Sequence, residues 1–257
     1  MILFLGCSYT WGSGLQYEYL HNEKGWSIEE INKVLPYNYH LEHLSYGADE
    51  YRKQNNWPNL VSKEINKAYV IGTYTNGGSN MTTIVHSIDH CHKIARANSI
   101  STVIVQFTDW LRDVDNEKIQ KYPGNIQEIT TQEWIDKTIL NQIETVGRNL
   151  NGLMSSFDEN LKDHKFPPSP YPNWLGLSWR QDVGDLLKKH YPNNYIPIKY
   201  KGAEYSSFEK IAKNNTKTND ENLRICDVLP GVDDSHLSSI GCRVVAKSII
   251  DKLKSYE

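Results

Sequence analysis

The sequence lacks the features that mark membrane, secreted and nucleic-acid-binding proteins. No apolar run is long enough to cross a bilayer, and the apolar residues 1–6 are too short, with no charged segment before them, for a signal peptide. The net charge of -3 gives no electrostatic case for binding nucleic acid. The four cysteines show no paired spacing, which is typical of reduced thiols. We therefore expect a cytoplasmic protein whose partners include no membrane and no nucleic acid.

The chain also lacks the common motifs for nucleotide cofactors and for lipase-type catalysis. It contains no Walker-type phosphate loop. Gly12 and Gly14 begin a GxG pattern, but Tyr17 stands where a dinucleotide-binding motif has its third glycine. Around Ser8, the G-x-S-x-G motif of α/β-hydrolases fails because Thr10 replaces the second glycine. The sequence therefore gives no reason to expect a cofactor.

Predicted strands and helices alternate along the chain. Continuous apolar segments predict buried strands at residues 1–6, 68–75, 102–107 and 223–228. Capping boxes, a proline in a first turn and apolar stripes predict helices over 27–35, from Trp57, from about 80, from about 130 to 161, over 182–190 and from about Ser238. Residues 174–177 show no clear period. The alternation favours an α/β fold, a three-layer α/β/α sandwich around a mostly parallel sheet, in one domain of 257 residues.

Histidines at helical spacing raise the question of a metal site. His86, His90 and His92 lie on one predicted helix, with His86 and His90 four residues apart. They fall opposite the apolar stripe of that helix, and His40 and His43 fall near a polar loop. We interpret both groups as solvated polar residues and expect no metal site.

A serine follows the first predicted strand. Residues 6–12 read GCSYTWG, and the small residues around Ser8 let the backbone turn tightly at the strand end. In parallel sheets, active sites gather at the carboxyl ends of strands, so Ser8, Gly78 and Thr108 are expected at one edge. A serine exposed there is a candidate nucleophile; the alternative is an incidental residue of a strand-to-loop turn.

An aspartate and a histidine stand close together before the last predicted helix. Asp233 precedes His236 by three positions, so its carboxylate could reach the imidazole Nδ1 and leave Nε2 to take a serine proton. Asp234, two positions before His236, is the less favoured alternative. The same segment could also be a polar helix N-terminus with ordinary capping residues.

The order and spacing of these blocks resemble the SGNH hydrolases, the superfamily of GDSL-like esterases and lipases. The matching blocks are residues 6–12, the Gly-Gly-Ser-Asn loop at 77–80, and the D-x-x-H pattern that ends at His236. The resemblance covers residues 1–12, about 57–112 and about 225–255. It implies a flavodoxin-like SGNH hydrolase fold with insertions at about 13–56 and 113–222.

The resemblance implies roles for single residues. Ser8 matches the nucleophile, His236 the base and Asp233 the acid that orients the base. Gly78 matches the glycine whose backbone N–H faces the oxyanion, with Gly77 as the alternative. The backbone N–H of Cys7 or Ser8 would be a second donor.

The third block departs from the family pattern. Thr108 stands where the family has an asparagine that donates to the oxyanion, a loss that typically costs about 10²–10³ in turnover. Ser79, Asn80 or Arg112 could take over that role. Trp110 and Arg112 resemble a variant of the family found among phage-encoded proteins, which implies the cytoplasm of a phage-infected host.

Cys7 occupies the place of the aspartate of the GDSL motif. Because Cys7 adjoins Ser8, alternation along the chain points its side chain away from the site. We interpret Cys7 as a small buried residue and not as a rival nucleophile.

The resemblance implies a serine esterase or deacylase that works through an acyl-enzyme without metal or cofactor. A small-molecule or carbohydrate ester, such as an O-acetylated sugar, is the expected partner. One alternative is an acyltransferase with the same triad, and another is a non-catalytic module that binds glycans or belongs to a virion. The sequence does not indicate the oligomeric state.

Overall fold

The computed structural model describes residues 1–34, 47–72, 79–81, 100–108, 110–113, 131–160, 169–200, 203–204, 223–232, 234 and 236–257. Several residues discussed above lie outside these ranges: His40, His43, Gly77, Gly78, His86, His90, His92 and Asp233. The helix predicted from about residue 80 is described only at Asn80 and Met81.

A parallel sheet organises the fold. It consists of β1 (Ile2–Leu5), β2 (Tyr69–Ile71), β3 (Thr102–Phe107) and β4 (Trp174–Ser178) in the order β2-β1-β3-β4, and every described pairing in it is parallel. β1 is therefore flanked by β2 on one side and β3 on the other. Ligands of open α/β sheets bind outside the carboxyl ends of the strands, at the point where the strand order reverses. Here that point lies between β1 and β3.

Nine α-helices are described in these ranges. They are α1 (Ser8–Trp11), α2 (Leu15–Asn22), α3 (Ile28–Val34), α4 (Ala48–Asn55), α5 (Trp57–Ile65), α6 (Gln132–Asn160), α7 (Gln181–His190), α8 (Ile225–Val228) and α9 (Ser239–Lys254). A 3₁₀ turn spans Trp110–Asp113, and a short antiparallel pair is formed by β5 (Lys199–Tyr200) and β6 (Ala203–Glu204).

Described helices pack against β1 from both sides. Successive side chains of a strand point to opposite faces, and β1 divides accordingly. Leu3 and Leu5 belong to a buried cluster with residues of α6 and α7, whereas Ile2 and Phe4 belong to a second cluster with residues of α5 and α9. The α/β class predicted from the sequence is thereby confirmed.

Local signals predicted several of these elements, although α1, α2 and α4 were not predicted. Ser27 and Glu30 form the expected capping box, with Ser27 N–H donating to Glu30 Oε2 at 2.7 Å and Glu30 N–H donating to Ser27 Oγ at 3.2 Å. Pro58 stands in the first turn of α5, as predicted. The stripes of α6 and α9 face the core, at Ile139, Ile143, Val146, Val245, Ile249 and Leu253.

One predicted strand was wrong, and another strand was not predicted. Residues 223–228 form no strand: Ile225–Val228 is the short helix α8, and Arg224 makes only an isolated antiparallel bridge to Leu237. Residues 174–177, which show no period, belong to β4. All five residues of β4 are buried, and a strand covered on both faces has no polar alternation to reveal it.

None of the helices in the described part of the chain is both long enough and apolar enough to cross a lipid bilayer.

Candidate active site

Ser8 lies where β1 ends and α1 begins. The strand ends at Leu5, Cys7 takes the N-cap position of α1, and Ser8 is the first helical residue. Backbone bonds close the turn behind it, since Thr10 N–H donates to Cys7 O and Gly12 N–H donates to Ser8 O. The serine side chain therefore stands at the carboxyl edge of the sheet, beside the point where the strand order reverses.

Ser8, His236 and Asp234 form a chain of hydrogen bonds. His236 Nε2 lies 2.8 Å from Ser8 Oγ, and His236 Nδ1 lies 2.8 Å from Asp234 Oδ1. A carboxylate only accepts, so Nδ1 carries the proton and Nε2 accepts the Ser8 hydroxyl. This is the geometry of a Ser–His–Asp triad, in which the base is held in the tautomer that can take the serine proton.

Among the described residues, the carboxylate partner of His236 is Asp234, the alternative in the sequence analysis. Asp234 Oδ1 accepts from the backbone N–H of His236 at 2.8 Å as well as from Nδ1. An aspartate that accepts from the backbone two residues later forms an Asx turn, which places its carboxylate beside the histidine ring. Asp233 lies outside the described residues, and Asp234 was the second choice because it stands only two positions before His236.

The triad is mostly shielded from solvent. Ser8 is 7% exposed, and the side chains of His236 and Asp234 are 13% and 5% exposed. Water competes little for hydrogen bonds at this depth, so the bonds that orient His236 are stronger than they would be on the surface. The imidazole keeps the largest exposed fraction of the three residues.

Backbone pairing holds the segment that carries Asp234 and His236. Ile225 N–H donates to His236 O at 2.9 Å, and Cys226 N–H donates to Asp234 O at 3.0 Å. Ser238 N–H donates to Leu223 O, and the Ser238 hydroxyl caps α9 by accepting from Gly241 N–H. Residues 223–226, which include the start of α8, thus run beside the segment that carries Asp234 and His236 and hold its backbone in place.

A buried glutamate ties the same segment to α2. Glu18 is 3% exposed, and its Oε1 accepts from the backbone N–H of Ser239 at 2.7 Å, at the N-terminus of α9. Its other oxygen accepts from Tyr51 OH at 3.2 Å. Burial and the nearby Glu18 raise the pKa of Tyr51 to about 12, so this phenol remains a donor over the working range of pH. A carboxylate at a helix N-terminus also compensates the helix dipole.

The residues expected around an oxyanion have other partners. Asn80 Oδ1 accepts from Thr108 N–H at 2.6 Å, and Asn80 Nδ2 donates to Gln142 Oε1 at 2.9 Å. Gln142, on α6, donates in turn to Trp110 O at 2.9 Å. Asn80 and Thr108 are therefore brought together, but the amide of Asn80 holds the end of β3 in place. Gly78 lies outside the described residues.

Asp113 organises the remaining part of this corner. It accepts from Met81 N–H at 3.2 Å and from the side chain of Ser79. Burial raises the pKa of Asp113, against the effect of these hydrogen bonds. Arg112 is exposed, and its positive charge acts on the Cys7 thiol.

An aromatic side chain flanks the base. The ring centroid of Tyr9 lies 4.9 Å from the ring centroid of His236 and 6.4 Å from that of Trp179. Tyr9 is half-buried and directly follows Ser8 in the chain. One wall beside the imidazole is therefore aromatic.

Cys7 has the properties of a structural thiol. It is buried, and burial raises the pKa of the Cys7 thiol despite nearby hydrogen bonds from Tyr9, Gln106 and Ser8. A raised pKa keeps the thiol protonated and unreactive. Cys226 and Cys242 are likewise free thiols, and burial raises the pKa of Cys242 to about 12.

The described ranges contain no group of three or more His, Cys, Asp or Glu side chains that could hold a metal ion.

Three buried polar residues near the site went unnoticed in the sequence: Glu18, Gln106 and Gln142. Gln106 offered a signal, because it is the only polar side chain after Thr102 in the strand sequence TVIVQF. A polar group buried in a strand needs a partner, which is a reason to look for one. Glu18 and Gln142 lie on helices, where a polar residue is not conspicuous.

Comparisons of the chain with protein families, with curated proteins and with solved structures give no match. A functional assignment therefore depends on the geometry of the site.

Proposed function

We propose that this protein is a serine hydrolase that cleaves esters through an acyl-enzyme intermediate. The observation that carries the proposal is the chain from Ser8 Oγ through both nitrogens of His236 to Asp234, with 2.8 Å at each step. Residues 8 and 236 are 228 positions apart in sequence, so their side chains meet only through the tertiary fold. Nucleophile, base and orienting group within hydrogen-bond reach are the signature of an activated nucleophile.

The geometry suggests the order of proton transfers. His236 Nε2 takes the proton of Ser8 Oγ as the oxygen attacks the ester carbonyl, and Asp234 stabilises the imidazolium that results. The imidazolium gives this proton to the departing alcohol, which leaves an acyl group on Ser8. Water then attacks the acyl carbonyl while His236 removes its proton. The bond to Ser8 Oγ breaks as the imidazolium returns this proton to Ser8, and the acyl group leaves as a carboxylic acid.

The oxyanion would be held by backbone groups. We propose Gly78, or Gly77, together with a backbone N–H near Ser8, because the side chains of Asn80 and Ser79 already have partners in the structure. Thr108 is buried, and its backbone N–H donates to Asn80. A hydrolase with fewer oxyanion donors is expected to turn over slowly.

The proposed substrate class is an ester of a small acyl group, with an O-acetylated carbohydrate as the first candidate. Tyr9 beside His236 supports this choice, because an aromatic ring can pack against the apolar face of a sugar. The likeness of residues 6–12 and of the C-terminal block to SGNH hydrolases supports the same class, with Asp234 in the place of the acid.

The test is hydrolysis of p-nitrophenyl acetate and labelling by a fluorophosphonate, with wild type and Ser8→Ala. Ser8→Ala should lower kcat by about 10³-fold or more and abolish labelling. Ser13→Ala is the matched control, because Ser13 is also buried and its hydroxyl has no hydrogen-bond partner among the described atoms. It should keep activity and labelling.

Each other outcome is informative. Activity that survives in Ser8→Ala would remove Ser8 from the mechanism. A wild-type protein with neither hydrolysis nor labelling would favour the non-catalytic, glycan-binding alternative. Transfer of the acyl group to a sugar in place of water would identify an acyltransferase with the same triad.

A further inference from the structure

One buried amide contacts both sides of the proposed nucleophile. Gln106 lies on β3 and is 2% exposed. Its Oε1 accepts from Thr10 Oγ1 at 2.9 Å, and its amide lies 3.4 to 3.5 Å from the Cys7 sulfur. Cys7 immediately precedes Ser8 and Thr10 follows it by two residues, so the side chain of Gln106 joins β3 to the turn on either side of Ser8.

The space around this amide is filled. A Cβ atom placed on Gly6 would lie 2.1 Å from Thr10 Oγ1 and 3.0 Å from Gln106 Oε1. Only a glycine at position 6 lets the Thr10 hydroxyl reach the amide. Thr10 itself is completely buried. Solvent water therefore cannot hydrogen-bond to this hydroxyl, which donates to Gln106 within the core.

The turn needs such an anchor because it has little stability of its own. α1 contains four residues, and its N-cap Cys7 makes no side-chain capping bond. A single helical turn is not stable in isolation, because its first hydrogen bond requires the backbone of about three residues to be fixed. The position of Ser8 Oγ relative to His236 depends on contacts of α1 with the rest of the fold.

We infer that Thr10 and Gln106 are positioning residues for Ser8: their hydrogen bond holds the nucleophile turn against β3 so that Ser8 Oγ stays within reach of His236 Nε2. Neither residue touches the reacting atoms, so their effect is on geometry. The inference rests on the proposed function for its kinetic consequence, whereas the position of Ser8 beside His236 is measurable without any substrate.

The first experiment compares Thr10→Val with wild type. Valine keeps the shape of threonine and removes the hydroxyl, so the turn loses its bond to Gln106. A displacement of about 1 Å at a reacting atom can cost about 10²-fold, and we expect kcat to fall about 10- to 100-fold with little change in KM. Thr10→Ser, which keeps the hydroxyl, should restore most of kcat.

Thr102→Val is the matched control. Thr102 stands at the opposite end of β3, is completely buried, and donates from its hydroxyl to Pro172 O. Like Thr10→Val, this variant removes one buried hydrogen bond that a threonine hydroxyl makes at β3. It should lower the unfolding midpoint about as much as Thr10→Val and leave kcat unchanged.

A second readout is the ¹⁵N chemical shift of His236 Nε2, which reports the Ser8 hydroxyl. Ser8→Ala defines the shift without that hydroxyl. Thr10→Val should move the His236 signal toward the Ser8→Ala value, whereas Thr102→Val should not. If wild type has no esterase activity, the proposed function fails, and this signal still decides whether Thr10 positions Ser8.

Gln106→Met covers the case in which Thr10→Val does not fold. Methionine keeps the length of the side chain and removes both amide atoms, so it should give the same loss of kcat and the same His236 shift. The inference is overturned if folded Thr10→Val or Gln106→Met keeps the wild-type kcat and the wild-type His236 signal. It is also overturned if Thr102→Val lowers kcat as much as Thr10→Val does.

Discussion

Asp234 Oδ1 accepts two hydrogen bonds from the same residue, one from the backbone and one from the ring of His236. Spacing alone favoured Asp233, because a carboxylate three residues before a histidine can reach its ring in a turn. The Asx turn at Asp234 brings a nearer carboxylate to the same place. Sequence spacing alone therefore does not identify the carboxylate that pairs with His236, because a backbone turn brings Asp234 to the ring.

At this scale the two aspartates can be separated by one substitution each. Asp234→Asn should lower kcat by about 10⁴-fold, because an amide no longer holds the tautomer with the proton on Nδ1. Asp233→Asn should stay close to wild type. The measurement is p-nitrophenyl acetate hydrolysis by both purified variants. The reverse ranking would return the role to Asp233.

At the scale of elements, the triad depends on how closely α2 approaches the His236 segment. A Cβ atom on Gly14, the N-cap of α2, would lie 2.8 Å from His236 Cβ and 2.5 Å from Ile225 Cγ1. The backbone of Gly14 is helical, with φ of -71°, so an alanine would meet no backbone strain there. Only the absent side chain allows this approach.

Gly14→Ala is therefore expected to displace His236 from Ser8. We expect kcat/KM to fall at least about 10-fold, since geometry at the reacting atoms is this sensitive. Gly152→Ala is the control: Gly152 lies in α6 with nothing within 4 Å of its Cβ position, and alanine there should stabilise the helix by about 0.5–1 kcal/mol. Esterase kinetics measure kcat/KM of both variants, and thermal unfolding measures their stability. Full activity in Gly14→Ala would contradict the expected displacement.

Elements were predictable where their signals are local. The capping box at Ser27, the proline of α5 and the stripe of α9 each depend on residues within a few positions of one another. β4 was missed because both of its faces are covered, and Leu223–Val228 was assigned to a strand because its apolar residues suit either state. Burial against distant elements decided these two segments.

At the scale of the whole molecule, one carboxylate of α7 contacts the residues that follow β3 and β4. Asp182, in the first turn of α7, accepts from Trp110 Nε1 at 2.9 Å and from Arg180 at 2.9 Å. Trp110 follows β3 and Arg180 follows β4. This carboxylate thus connects the carboxyl ends of neighbouring strands.

The hydrogen bonds of Asp182 should make the free energy of unfolding depend on pH. Burial works against the charged form, but hydrogen bonds from Arg180 and Trp110 hold the pKa of Asp182 below its ordinary value. A lowered pKa in the folded state adds stability above the ordinary carboxyl pKa, and this stability is lost as the pH falls through the lowered value. In Asp182→Asn, the free energy of unfolding should therefore differ less between pH 7 and pH 3 than it does in wild type.

Asp113 provides the comparison of opposite sign. Burial raises its pKa, so its contribution is greatest at low pH and falls as the pH rises through the raised value. Asp113→Asn should widen the difference between pH 7 and pH 3. Urea unfolding at both pH values measures the two variants. Equal differences in both variants and in wild type would show that neither carboxylate is linked to folding in this way.

The sequence by itself determined the α/β class, the capped helices and the serine after the first strand, because these depend on period and on neighbours in the chain. It also indicated which histidine would be the partner of that serine. Only the tertiary structure decided that Asp234 is the carboxylate, that Gln106 joins β3 to the nucleophile turn, and that Asn80 holds the end of β3. The bonds of Gln106 and Asn80 join segments far apart in sequence and so leave no local pattern. The choice of Asp234 depends on a backbone turn that sequence spacing does not specify.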